Sequence, residues 1–92
     1  MDLLTEDALA VELATVPNWA HAGNTIRRKI TTDDFRGAML LVGVVAYLAE
    51  TANHHPDITI EWNKVTLTLS THSAGGLTAQ DFNLARTIDT LT

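Results

Sequence analysis

Ile58-Thr59-Ile60-Glu61-Trp62-Asn63-Lys64-Val65-Thr66-Leu67-Thr68-Leu69 decides the fold. Apolar and polar residues alternate on both sides of Asn63-Lys64, which is the period of a half-buried strand, met twice. A two-residue loop at Asn63-Lys64 makes the pair a hairpin. Trp62 then faces Val65, Ile60 faces Leu67 and Ile58 faces Leu69, all on one packed face. Carried outward, the same register sets Pro56 opposite Thr71 and His55 opposite His72. Two imidazoles distant in sequence are thus expected to meet at the open end of the hairpin, with His54 beside them.

Upstream, Thr31-Thr32-Asp33-Asp34 offers capping side chains and first-turn acids. A proline-free run from Phe35 to Ala52 follows, and Asn53 is suited to a left-handed C-terminal cap. This predicts a helix over 32–52. Phe35, Ala38, Met39, Leu41, Val42, Val44, Val45, Leu48 and Ala49 run nearly all round it. A helix apolar on every side needs a second partner besides its own sheet. In so small a domain, another copy of the chain is the natural one, giving a homodimer or homotetramer through helix 32–52 and sheet edges.

Four shorter elements complete the pattern. Thr5-Glu6-Asp7 starts a helix over roughly 5–15, ended by Pro17. Trp19–His21 and Thr25–Ile30, flanking the turn Ala22-Gly23-Asn24, read as two short strands. Thr78 and Asp81 resemble a capping box before the stripe Phe82, Ala85, Ile88 and Leu91. The whole is an α+β single domain over 1–92, with a four-stranded antiparallel sheet and three helices packed on one face. Arg27-Arg28-Lys29 reads as a solvated strand edge.

The 92 residues are 46% hydrophobic and 18% charged, too apolar and too weakly charged for a disordered chain. Cysteine is absent, which removes disulfides and thiolate metal sites. A net charge of -5 gives the wrong field for a phosphate backbone, so no direct nucleic-acid partner is expected. The N-terminus carries no basic leader and no apolar run reaches the roughly 20 residues of a membrane span, so no membrane partner and a cytoplasmic location are expected.

Several histidines around one substrate suit proton transfer near neutral pH, since imidazole gives and accepts protons there. Three could also ligate zinc. Adjacent His54 and His55 argue against it, because neighbouring side chains in an extended segment point opposite ways. No metal and no bound cofactor are expected. His21, apart from the other three, reads as structural. Gly75-Gly76 lacks the lysine-bearing phosphate-loop pattern and reads as a tight turn.

Glu50-Thr51-Ala52-Asn53-His54-His55-Pro56, then Trp62, Ser70-Thr71-His72, Gly75-Gly76-Leu77-Thr78 and Asp81 together resemble the pterin-4a-carbinolamine dehydratases. The match is closest over 31–92 and departs from some relatives at Thr51 and Asn53. The resemblance implies dehydration of a 4a-hydroxytetrahydropterin to the quinonoid dihydropterin, which recycles a pterin cofactor, with a small pterin as substrate. It implies that His54 and His72 transfer protons and that His55 positions the substrate. Glu50 would bond the pterin or orient a histidine, and Asp81 would support the site or cap its helix. Pro56, Ser70 and Thr71 would shape the pocket, and Trp19 would lie near the pterin. Trp62 is assigned to the packed face of the hairpin. The family also implies two other roles: an oligomeric interaction or assembly protein without turnover, and a part in molybdopterin metabolism.

Overall fold

The computed structural model describes residues 2–92. Its elements run α1 (Glu6–Thr15), β1 (Ala20–Ala22), β2 (Thr25–Thr31), α2 (Phe35–Ala52), β3 (Asp57–Glu61), β4 (Lys64–Leu69), a short 3-10 turn (His72–Ala74) and α3 (Ala79–Asp89). The four strands form one antiparallel sheet in the order β1-β2-β4-β3. Ile26, Ile30, Val65, Leu67 and Leu69 point to its helical side and are buried with Ala38, Val45, Ala49, Phe82, Ala85 and Ile88. Arg27, Lys29, Thr59 and Lys64 alternate with them on the opposite, open face and are exposed.

Local chemistry sets the ends of each helix. The Thr5 hydroxyl accepts from the Ala8 N–H at α1, and the Asp34 carboxylate from the Gly37 N–H at α2. Asn53 ends α2 in the left-handed conformation, with φ 49°. Thr78 and Asp81 cap α3 reciprocally, the expected capping box. Arg86 of α3 reaches back to Glu12 and Thr15 of α1, at 2.9 and 3.0 Å.

Three expectations are corrected. The hairpin pairs Ile58 with Leu67, Ile60 with Val65 and Glu61 with Lys64, so its loop is Trp62-Asn63 and the register differs by two residues. The physical reason lies at the tip. The Asn63 carbonyl accepts from the Thr32 N–H at 2.8 Å, and the Asn63 amide donates to the Thr32 carbonyl at 2.9 Å. Both bonds lock the loop to the segment before α2. Trp62 therefore lies off the packed face: it is 64% exposed and sits at φ 53°. Finally, Arg27-Arg28-Lys29 lies on an interior strand. Arg28 points to the helical side, where its guanidinium donates to Asp89 and Thr92.

A bulky side chain at positive φ is disfavoured by roughly 1–2 kcal/mol relative to glycine. Trp62→Asn, with a residue that tolerates this conformation, is expected to raise stability by about 1 kcal/mol. Urea denaturation of both proteins measures it.

By length and composition α2 could cross a membrane, with 18 residues of mean hydropathy 1.4. This differs from the sequence expectation, which looked for a longer uninterrupted apolar run. In the fold α2 is a layer of the domain, burying Ala38, Val45 and Ala49. Phe35, Met39, Leu40, Val44 and Tyr47 remain exposed on its other side.

Candidate active site

Where β3 begins and β4 ends, the open face of the sheet runs into the 71–76 turn. A cleft of about 280 Å³ lies there, lined by Asn24, Thr25, His55, Asp57, Thr68, Ser70, His72 and Gly75. Strand alternation supplies one wall. Asp57 pairs directly with Thr68, and two further steps in the same register bring Ser70, rather than His72, opposite His55. His72 enters from the 3-10 turn that follows. The two histidines share a cleft as expected, though through the turn and not through cross-strand pairing.

The turn is tightly bonded. The Thr71 carbonyl accepts from the N–H groups of Ala74, Gly75 and Gly76, and the Thr71 N–H donates to the Gly76 carbonyl at 2.9 Å. Gly75 takes φ 77°, which closes the turn without strain. His72 is exposed at its start, and its ring makes no hydrogen bond among the described residues. His55 is also exposed, and its Nε2 is held by the carboxylate of Glu50 at the end of α2. One imidazole is thus free, and the other is oriented by an acid.

His54 does not line this cleft. Alternation along the extended segment turns it to the helical side, where it is 9% exposed and borders a separate groove with Leu48, Thr51, Gln80 and Leu84. Its Nε2 lies 2.5 Å from Oδ1 of Asp81, which is wholly buried. Nε2 carries the proton of this bond, because an ionised carboxylate can only accept. The expected convergence of three histidines on one pocket is therefore corrected to two.

The remaining predicted residues divide between cleft and interior. Ser70 lines the cleft and Glu50 sits at its mouth through His55. Pro56 is half-buried between His55 and Asp57. Thr71 is buried, with its hydroxyl on Asp81. Trp19 is packed in the core: it is 4% exposed, and its indole N–H donates to Asp89 at 2.8 Å. His21 bonds locally, donating from Nε2 to the Gly23 carbonyl.

Asn24, Thr25, Asp57 and Thr68 were not among the expected site residues. Their signal was present in the alternation, since the polar positions of β2, β3 and β4 nearest the histidines must fall on the open face. No group of three histidine, aspartate or glutamate side chains suited to a metal ion occurs among the described residues.

Comparison with known proteins gives concordant results. A family model described as pterin 4 alpha carbinolamine dehydratase matches residues 2–91. A protein of Nocardia farcinica named "Putative pterin-4-alpha-carbinolamine dehydratase" is 50% identical over 90 residues, covering 98% of this chain and 95% of its own. The crystal structure of a transcriptional coactivator/pterin dehydratase from Brucella melitensis superposes with a TM-score of 0.90 at 31% identity, covering 96% of each chain. A pterin dehydratase-like RuBisCO assembly factor of the alpha-carboxysome shares the fold, with a TM-score of 0.68 at 19% identity over 80% of this chain and 88% of that one.

Proposed function

The chain belongs to the pterin 4 alpha carbinolamine dehydratase family, and from that footing we propose that it dehydrates a 4a-hydroxytetrahydropterin in the cleft shared by His55 and His72. The observation that carries this reading is the juxtaposition itself: two imidazoles, one free and one oriented by Glu50, on one polar cleft. At about 280 Å³ the cleft stands near the lower end of the roughly 300–1,000 Å³ common for small-ligand sites, in keeping with a bicyclic ring.

The reaction needs one proton delivered and one removed. The C4a–O bond breaks and the hydroxyl leaves as water with a proton from one imidazole. The N5–H proton passes to the other imidazole as the C4a=N5 bond forms, so atoms and charge balance without any change of oxidation state. Two histidines on either side of one ring meet that requirement. Asp57, Thr68 and Ser70 supply acceptors and donors for the amide and amino edge of the pterin. In this reading the protein regenerates a spent pterin cofactor.

The test is the decay of freshly generated 4a-hydroxytetrahydropterin, followed by rapid ultraviolet absorbance with and without the protein. Acceleration above the buffer rate supports the dehydratase. Decay at the buffer rate by folded protein shifts the reading to an interaction or assembly role.

The exposed side of α2 supports self-association as part of the same proposal. Phe35, Met39, Leu40, Val44 and Tyr47 form an apolar strip along one helix, a feature that marks protein contacts. Leu40→Glu, at a position 65% exposed in the protomer, is expected to lower the mass measured by light scattering while circular dichroism stays unchanged. An unchanged mass would place the contact elsewhere.

A further inference from the structure

Beside the cleft lies a smaller pocket of about 180 Å³, walled by Leu3, Leu4, Leu9 and Leu77. The two spaces share Asn24 and Gly75, so only the β1–β2 turn and the 71–76 turn stand between them. Glycine keeps this junction open. A methyl group at position 76 would come within 3.0 Å of Leu3 Cδ2 and 3.7 Å of the Asn24 amide oxygen. The Leu4 N–H donates to the Leu77 carbonyl at 3.1 Å, which holds the segment before α1 in place as the apolar wall. His21 adds a polar atom to this lining: its Nε2–H is committed to the Gly23 carbonyl at 2.9 Å, so the neutral ring offers Nδ1 as an acceptor.

The sheet orients a bicyclic substrate between the two spaces. Asp57 of β3 pairs with Thr68 of β4, which pairs in turn with Arg27 of β2, and Thr25 lies two residues nearer the β1–β2 turn. From β3 to β2 is two strand spacings, roughly 10 Å. In a pterin, C6 lies next to the reacting N5, at the far end of the long axis from the 2-amino group. With the amino edge held by Asp57 and Thr68, a substituent on C6 leaves the cleft over Asn24 and Gly75, toward the leucine-walled pocket.

We propose that this pocket receives the C6 substituent of the substrate and selects a pterin that carries a short hydroxyalkyl chain there. The leucines take its carbons, and Nδ1 of His21 accepts from a hydroxyl. The inference rests on the dehydratase reading for the orientation of the ring, while the pocket itself can be measured by binding alone.

The probes are 6-methyl-, 6-propyl- and 6-(1,2-dihydroxypropyl)pterin, as 4a-hydroxytetrahydro forms for turnover and as fully oxidised, unreactive forms for binding by fluorescence titration. Wild type is expected to favour propyl over methyl about tenfold in kcat/KM and in Kd, for two further carbons removed from water. Leu3→Asp sets a charge in the apolar wall at a position 54% exposed, outside the core, and is expected to erase that preference with circular dichroism unchanged. His21→Phe keeps a ring and removes the acceptor. It is expected to lower the ratio of kcat/KM for dihydroxypropyl over propyl about fivefold.

Turnover at equal kcat/KM for methyl and propyl would overturn the pocket and leave the dehydratase standing, as would a propyl preference that survives Leu3→Asp. No turnover of any probe, with propyl bound more tightly than methyl and the difference lost in Leu3→Asp, would sink the dehydratase and leave the pocket. No turnover and no difference in Kd would overturn both.

Discussion

His72→Ala is expected to slow the catalysed dehydration by about 10²–10⁴-fold, the usual worth of a positioned acid or base. The ring is exposed and makes no hydrogen bond among the described residues, so its removal leaves the core and the turn intact. Thermal unfolding should therefore match wild type, which separates a chemical loss from a structural one. His55→Ala is expected to fall in the same range, with a further effect on KM because the cleft loses a wall. If the two imidazoles act on one ring as a unit, the double variant costs little more than the worse single one. Multiplying losses would mean that each acts on its own. Activity retained in His72→Ala would remove the cleft from the mechanism altogether. Stopped-flow absorbance on the carbinolamine decay decides among these outcomes, with the spontaneous rate as its floor.

How much of this was legible in the residues differs between elements. Helix α2 was readable at its C-terminal end, where Asn53 acts locally, while its start falls at Phe35 and not at 32, because Asp34 rather than an earlier residue of the Thr31–Asp34 cluster caps it. The capping box of α3 was readable for the same reason. The hairpin was readable as to which residues face the core, but its register was not. A shift of two residues leaves every apolar side chain on its face, so alternation cannot detect the error. What decides the register is the set of three bonds between Asn63 and Thr32, 31 residues apart, and no local pattern encodes them. The site divides in the same manner. The rule that neighbours in an extended segment point opposite ways, applied against a zinc site, already implies that His54 and His55 part company. Trp19 was ambiguous because an aromatic side chain suits a core and a ligand site alike. Its hydrogen bond to Asp89, 70 residues away, is a contact that no local pattern encodes.

Asp81→Ala is expected to cost about 3–5 kcal/mol of stability, because it strips the shared acceptor from three buried donors at roughly 1–3 kcal/mol each. Three donors lose their acceptor at once, two of them side chains held largely out of solvent. For a domain of this size, where total stability is on the order of 5–15 kcal/mol, such a loss approaches unfolding at physiological temperature. Asp34→Ala provides the control. That carboxylate is also a helix N-cap, accepting from the Gly37 N–H at 2.7 Å, but it is exposed and serves a single donor. Its loss should cost about 1 kcal/mol. Were Asp81 merely the cap of α3, the two variants would fall close together in a urea titration. A gap of about 2 kcal/mol or more is what the buried node requires, since two of its three donors, the His54 ring and the Thr71 hydroxyl, lie outside the cap.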